Sequence, residues 1–226
     1  MTNTLHRFGV ADSFSDDYIV IALPAKGGKS KGDPLPALRR FLELALEYDP
    51  VNIGDAMHGG AMRPTSHRHA LTHFGRRPVK PDFDAVLDTA DAPTTFSVVF
   101  DNRDSAEAFV ARLREDEFPL SVNVSSSLEN GIACCNAAGL SRHSVGYSLG
   151  FEGIPDNATD RHVLMLSTMC GHGMIARSLA KKMIDWVKEN RASPDKATAC
   201  LSRFCSCGIF NPTRAKRILE DARKGR

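Results

Sequence analysis

Three of the six cysteines lie in glycine-containing segments directly ahead of predicted helices. Cys170 follows a short apolar run typical of a buried strand and precedes an amphipathic stretch with helical spacing. Cys205 and Cys207 stand one residue apart, just ahead of Asn211-Pro212, an N-cap residue followed by proline at the first helical position. A helix start stabilises thiolates, the form of cysteine that binds metals. The sequence therefore predicts that these three thiols converge on one metal centre.

Three kinds of chemistry are open to this set of residues. A [4Fe–4S] cluster on Cys170, Cys205 and Cys207 would leave one iron without a cysteine ligand and open to substrate. A tetrahedral zinc ion would instead take His172 as its fourth ligand. In the third alternative no metal binds, Cys170 is a nucleophile, and the closely spaced pair relays sulfur or resolves a disulfide. The cysteine spacing matches neither that of ferredoxins nor that of zinc ribbons, so it does not favour one of the three chemistries over the others.

The leading prediction is an enzyme that uses the iron–sulfur cluster as a Lewis acid on a small anionic substrate. An open iron polarises a hydroxyl or carboxylate oxygen, so the expected reaction is of the lyase or hydro-lyase type. His172 and His143 are the candidate proton donors and acceptors, and Arg214 is a candidate for holding a carboxylate. The alternatives are a zinc-stabilised binding or assembly module and a thiol-based redox or sulfur-transfer enzyme.

The elements that would position these residues alternate along the chain. Predicted strands are 17–24, 51–55, 95–100, 120–125, 144–151 and 163–166, and predicted helices include 34–47, 105–117, 128–138, 174–189 and 212–223. This alternation indicates an α/β fold with a mainly parallel sheet built from βαβ units. Ligands of such sheets bind beyond the carboxyl ends of the strands, and this rule selects further substrate-binding candidates. They are Lys26, Asn52, Asn123 and Ser125.

The chain is predicted to form a sheet domain and a cap. Residues 1–170 would form the α/β domain, with an irregular insertion at about 56–81, and residues 171–226 would form a C-terminal helical cap that carries the cysteine cluster. The insertion contains four histidines, for which an ordered active-site loop or a subunit contact is favoured over a second metal site. They are His58, His67, His69 and His73.

Composition narrows the expected partners and compartment. The net charge is +2, from 29 basic and 27 acidic residues, and no long basic run is interleaved with aromatics, so nucleic acid is not an expected partner. No stretch approaches the roughly 18 apolar residues of a membrane span, and the first ten residues lack the pattern of a signal peptide. We therefore expect a cytoplasmic protein with reduced thiols and no membrane partner. The sequence is also compatible with a homo-oligomer.

Overall fold

The computed structural model describes residues 5–25, 32–64, 80–142, 144–146, 151, 153 and 156–225. Five strands are described: β1 Tyr18–Pro24, β2 Asn52–Asp55, β3 Gly59–Gly60, β4 Phe96–Phe100 and β5 Leu120–Ser125. In the same residues eight α-helices are described: α1 Leu35–Ala45, α2 Phe83–Thr89, α3 Arg103–Glu115, α4 Leu128–Ala137, α5 Ala158–Ser167, α6 Arg177–Lys188, α7 Pro194–Ser202 and α8 Pro212–Lys224. Short 3-10 helices cover Ala11–Phe14 and Leu46–Tyr48. None of the described helices is long and apolar enough to cross a membrane.

The sheet is antiparallel, so the prediction of a mainly parallel sheet is wrong. Its strand order is β3-β2-β4-β1-β5, and every neighbouring pair is antiparallel. The predicted alternation of strands and helices is present, and β1 and β2, which α1 connects, do run in the same direction. However, β4 lies between them and runs the other way. The β1-α1-β2 unit is therefore split by an antiparallel strand, as in β-α-β-β-α-β folds. Alternation along the chain does not reveal which strands pair.

The predicted strand at 163–166 is also wrong, because these residues lie in α5. Asn157 caps this helix by accepting a hydrogen bond from the Asp160 N–H group. Val163, Leu164 and Leu166 are the buried stripe of the helix. A short apolar run has no period that separates a buried strand from a buried helix, which explains the error. The predicted strand at 144–151 falls largely outside the described residues, and its first three residues form no strand.

Helices cover both faces of the sheet. Tyr18, Val20 and Ala22 of β1 belong to a core with α1, α2, α3 and α4, whereas Ile19 and Ile21 belong to a second core with α5, α6, α7 and α8. Side chains of a strand alternate between its faces, and both sets in β1 are buried. The C-terminal helices therefore form a complete layer over one face of the sheet.

A buried ion cluster fastens the N-terminal segment to the first turn of α8. The Asp17 carboxylate is fully buried and accepts hydrogen bonds from Arg7, from Arg214 at 2.8 Å and from Asn211 Nδ2 at 2.9 Å. The Arg7 and Arg214 guanidinium groups also lie over the Phe14 ring, at 5.0 and 4.0 Å from its centroid. Because α8 begins directly after the second cysteine segment, this cluster fixes one end of that segment.

Candidate metal centre

Two turns with the same spacing of donors and of the glycine that follows them carry the cysteine cluster. Their backbones differ at one position, where Gly171 of the first turn has a positive φ of 69° and Ser206 of the second turn does not. Cys170 opens the turn between α5 and α6, and Cys205 opens the turn between α7 and α8. A second sulfur or nitrogen side chain follows two residues later, His172 in the first turn and Cys207 in the second. The next residue is a glycine with positive φ, 69° in the first turn and 74° in the second. Glycine adopts this conformation at little cost, which explains its place in both turns.

Backbone N–H groups of each turn face the sulfur of its first cysteine. In both turns the residues two and four positions after that cysteine lower its pKa through backbone hydrogen bonds. The Phe210 N–H group adds a third bond to the Cys205 sulfur, at 3.2 Å. Such donors stabilise the negative charge of a thiolate. The two turns thus surround their first cysteines in the same way.

The second donors of the two turns meet each other. The Cys207 sulfur lies 3.6 Å from His172 Nδ1 and 4.0 Å from the Cys205 sulfur. Cys170 belongs to the same buried cluster, and the Cys205 charge raises its pKa. Tetrahedral zinc, with bonds of about 2.3 Å to sulfur and about 2.0 Å to nitrogen, would hold two sulfurs about 3.8 Å apart and sulfur and nitrogen about 3.5 Å apart. The two measured separations are close to these edge lengths.

Burial and hydrogen bonding separate the pKa values of the three thiols. A hydrogen bond from Cys207 and the surrounding N–H groups lower the pKa of Cys205 to about 7, although burial opposes them. The same hydrogen bond, together with burial, raises the pKa of Cys207. Burial is also the main cause that raises the pKa of Cys170. Of the three thiols, Cys205 is therefore the one whose thiolate form the metal-free protein favours.

The thiols are enclosed by protein. Cys170 is 1% exposed, and Cys205 and Cys207 are each 3% exposed. His172 is half-buried and lies against the Cys207 sulfur. A cavity between the end of α1 and the start of α2, lined by residues 46, 49–50 and 80–84, includes none of the four donors. The arrangement suits a closed site better than one that admits a substrate.

Two polar side chains of the sheet donate hydrogen bonds to backbone carbonyls of the second turn. Ser97 of β4 donates a hydrogen bond from Oγ to the Cys207 carbonyl at 2.5 Å. Asn52 of β2 donates from Nδ2 to the Phe210 carbonyl at 2.8 Å. Both side chains belong to residues that are only 1% exposed. They fix the backbone on each side of the glycine and so position the Cys207 side chain.

The second turn also packs directly on the backbone of the β2–β3 hairpin. A Cβ atom added to Gly208 would lie 2.5 Å from the Gly54 nitrogen, and one added to Gly60 would lie 2.4 Å from the Gly208 Cα. Three glycines therefore allow the cysteine turn and the sheet to approach more closely than side chains would permit. This contact places the thiols over the face of the sheet.

Three of the predicted substrate-binding residues make hydrogen bonds within the fold. Arg214 is fully buried against Asp17, and Asn52 supports the cysteine turn. Ser125 accepts hydrogen bonds from Arg7, whereas Asn123 Nδ2 has no hydrogen-bond partner among the described residues. The remaining predicted positions lie outside the described residues, and they are Lys26, His143, His67, His69 and His73.

Sequence reasoning missed the residues that support the site. Ser97 is the only polar residue in the five-residue strand β4, Phe96–Phe100, and this was a usable signal. His58 lies outside the cysteine cluster, where its Nδ1 atom is 3.2 Å from a carboxylate oxygen of the buried Asp55. Cys134 belongs to the other core, and burial raises its pKa to about 11.

In the cysteine cluster Cys207 contacts both His172 and Cys205. Within the described parts of the chain, no group of three or more His, Cys, Asp or Glu side chains is already arranged to hold a metal ion. An ion would have to draw Cys170, His172, Cys205 and Cys207 into one shell. No family model, no curated protein and no solved structure matches this chain.

Proposed function

We propose that the chain is a zinc-stabilised binding or assembly module. In this proposal Cys170, His172, Cys205 and Cys207 hold one zinc ion, which fastens the C-terminal helical layer to the sheet. The repeated turn carries the proposal, because each copy presents two donors with the same spacing, the same positive-φ glycine and the same N–H groups around its first cysteine. Four nitrogen and sulfur ligands are the usual set of a structural zinc site.

Burial supports a structural role for the ion. Catalytic zinc keeps a coordination position open to water or substrate, whereas structural zinc has four protein ligands. Here the three sulfurs are at most 3% exposed, and the half-buried His172 supplies the fourth ligand. The proposed ion would replace S–H hydrogen bonds between thiols with bonds that join two loops 35 residues apart, from position 170 to 205.

The repeated turn also separates this proposal from thiol chemistry without a metal. A redox dithiol needs two sulfurs, and the Cys205–Cys207 pair would provide them alone. The first turn would then have no reason to present His172 at the position that corresponds to Cys207, or to bring it within 3.6 Å of that sulfur. A four-ligand site accounts for both turns together.

The iron–sulfur enzyme predicted from the sequence is the second candidate, because three cysteines do share one buried cluster. A cubane distributes its cysteines over different iron atoms and holds their sulfurs farther apart than a single ion does. The 4.0 Å separation of the Cys205 and Cys207 sulfurs therefore favours the single ion. Iron analysis and the visible absorption of anaerobically purified protein distinguish the two candidates.

The test is the metal content of the purified protein and of a histidine variant. We expect about one zinc per chain, and we expect His172→Ala to lose the ion and to unfold at a lower temperature. His162→Ala is the matched control, since His162 is a partly buried histidine on α5 outside the donor set. Zinc-free protein whose stability is unaffected by added zinc or by a chelator would overturn the proposal.

A further inference from the structure

The Cys205–Cys207 pair has the geometry for a covalent change that would act on the proposed zinc site. Their sulfurs are 4.0 Å apart, and a single residue separates the two cysteines. A disulfide bond is about 2.05 Å long, so the sulfurs must approach by about 2 Å to form one. The Ser97 hydrogen bond and the contact of Gly208 with the sheet hold the backbone of this turn in place while the two sulfurs approach.

His172 contacts one of the two equally buried cysteines, which are each 3% exposed. It lies against the Cys207 sulfur and is half-buried, and the next two residues are exposed, Met174 by 51%. Outward movement of the imidazole ring would therefore uncover Cys207. The Cys205 sulfur accepts a hydrogen bond from the Phe210 N–H group. We therefore expect a small oxidant to reach Cys207 first.

We infer that Cys207 and Cys205 form a peroxide-sensitive modification site that controls zinc binding, an inference that rests on the proposed function. With zinc bound, Cys207 would be a thiolate, and this thiolate attacks one oxygen of hydrogen peroxide. The O–O bond breaks, and the hydroxide released takes a proton and leaves as water. The Cys205 sulfur then attacks the sulfenic acid on Cys207, the S–O bond breaks, and a second water leaves. The two thiols lose two electrons to the peroxide and become a disulfide.

Disulfide formation removes two of the four proposed zinc ligands. The remaining pair, Cys170 and His172, cannot complete a tetrahedral site, so the ion is released and the two turns are no longer joined. Cysteines one residue apart make a strained disulfide, which has a higher reduction potential and is readily reduced by thiols. The modification is therefore reversible and acts as regulation of the module.

The chain supplies matched controls for this reaction. Cys134 and Cys135 are adjacent in sequence on α4, and Cys134 is fully buried in the other core. The double variant Cys134→Ser, Cys135→Ser should respond to peroxide as the unaltered protein does. The variant Cys205→Ser should stop at the sulfenic acid on Cys207, because the resolving sulfur is missing.

The experiment treats the zinc-loaded protein with hydrogen peroxide and follows three readouts. We expect loss of two of the six thiols, a peptide linked between Cys205 and Cys207, and zinc release that a dithiol reverses. A dimedone adduct on Cys207 of Cys205→Ser supports the order of steps. Oxidation that leaves this pair reduced, or that links Cys170 instead, overturns the inference. Peptide mapping detects the disulfide even in zinc-free protein. A disulfide that forms in protein without zinc would therefore support the modification site and contradict only the proposed function.

Discussion

Replacement of Ser97 by alanine tests whether the sheet positions the cysteine turn. The Ser97 hydroxyl donates to the Cys207 carbonyl at 2.5 Å from a residue that is 1% exposed. Ser97→Ala leaves that carbonyl without this donor in a buried position, at a cost of about 1–3 kcal/mol in the free energy of unfolding. Residues that orient metal ligands through such bonds also change metal affinity, by about 10- to 100-fold. Ser97→Ala should lower zinc affinity by this factor, about 1.4–2.7 kcal/mol.

Ser126→Ala provides the matched control for this change. Ser126 also donates from Oγ to a backbone carbonyl, that of Asp17, at 2.8 Å, but it lies just after β5 and touches neither cysteine turn. Both variants should lower the unfolding midpoint in denaturant, and only Ser97→Ala should weaken zinc binding in competition with a chromophoric chelator. Equal zinc affinities for the two variants would refute the positioning of the turn by the sheet.

Three further changes test other parts of the structure. Gly208→Ala should cost more than Gly225→Ala in unfolding free energy, because both glycines have positive φ but only a Cβ at 208 would meet the β2 backbone, at 2.5 Å. Equal losses would show that the close approach is unimportant. In metal-free protein, ultraviolet thiolate absorbance should titrate near pH 7 and this step should vanish in Cys205→Ser, since the pKa of Cys205 is lowered to about 7. Because the pKa of Cys205 is lowered from 9.0, its thiolate contributes fully to the stability of the metal-free fold above pH 9. This contribution is lost as pH falls through about 7. A free energy of unfolding that rises as pH falls over this range would contradict the assignment. Asp17→Asn should cost about 3–5 kcal/mol in chemical denaturation, because it leaves two buried guanidinium groups without their carboxylate, and a loss below about 1 kcal/mol would contradict this role.

Local sequence signals predicted the elements around the site more successfully than their arrangement. Asn211-Pro212 predicted the start of α8, because helix capping depends on a few neighbouring residues. The direction of the strands depends on which strands pair, and the insertion of β4 between β1 and β2 leaves no trace in the residues of any single strand. For this reason the alternation of strands and helices led to the wrong prediction of a mainly parallel sheet.

The rule that selected the predicted substrate-binding residues does not apply to this sheet. Carboxyl ends of strands share one edge only when the strands are parallel, and here β4 and β5 run opposite to β1 and β2. Two of the polar residues chosen by that rule make internal hydrogen bonds, Asn52 with the Phe210 carbonyl and Ser125 with Arg7. A buried polar residue in an apolar strand, such as Ser97, indicates a partner in the fold, but the sequence cannot identify the partner.

X-ray absorption at the metal edge of the protein as purified tests the central claim most directly. The proposal predicts a zinc edge with about three sulfur ligands at about 2.3 Å and about one nitrogen ligand at about 2.0–2.1 Å. His172→Ala should remove the nitrogen contribution or the metal itself, and Cys170→Ser should remove one sulfur. An iron edge with iron–iron scattering would support the cluster, and a zinc shell of oxygen and nitrogen alone, or no bound metal, would contradict the four-ligand site.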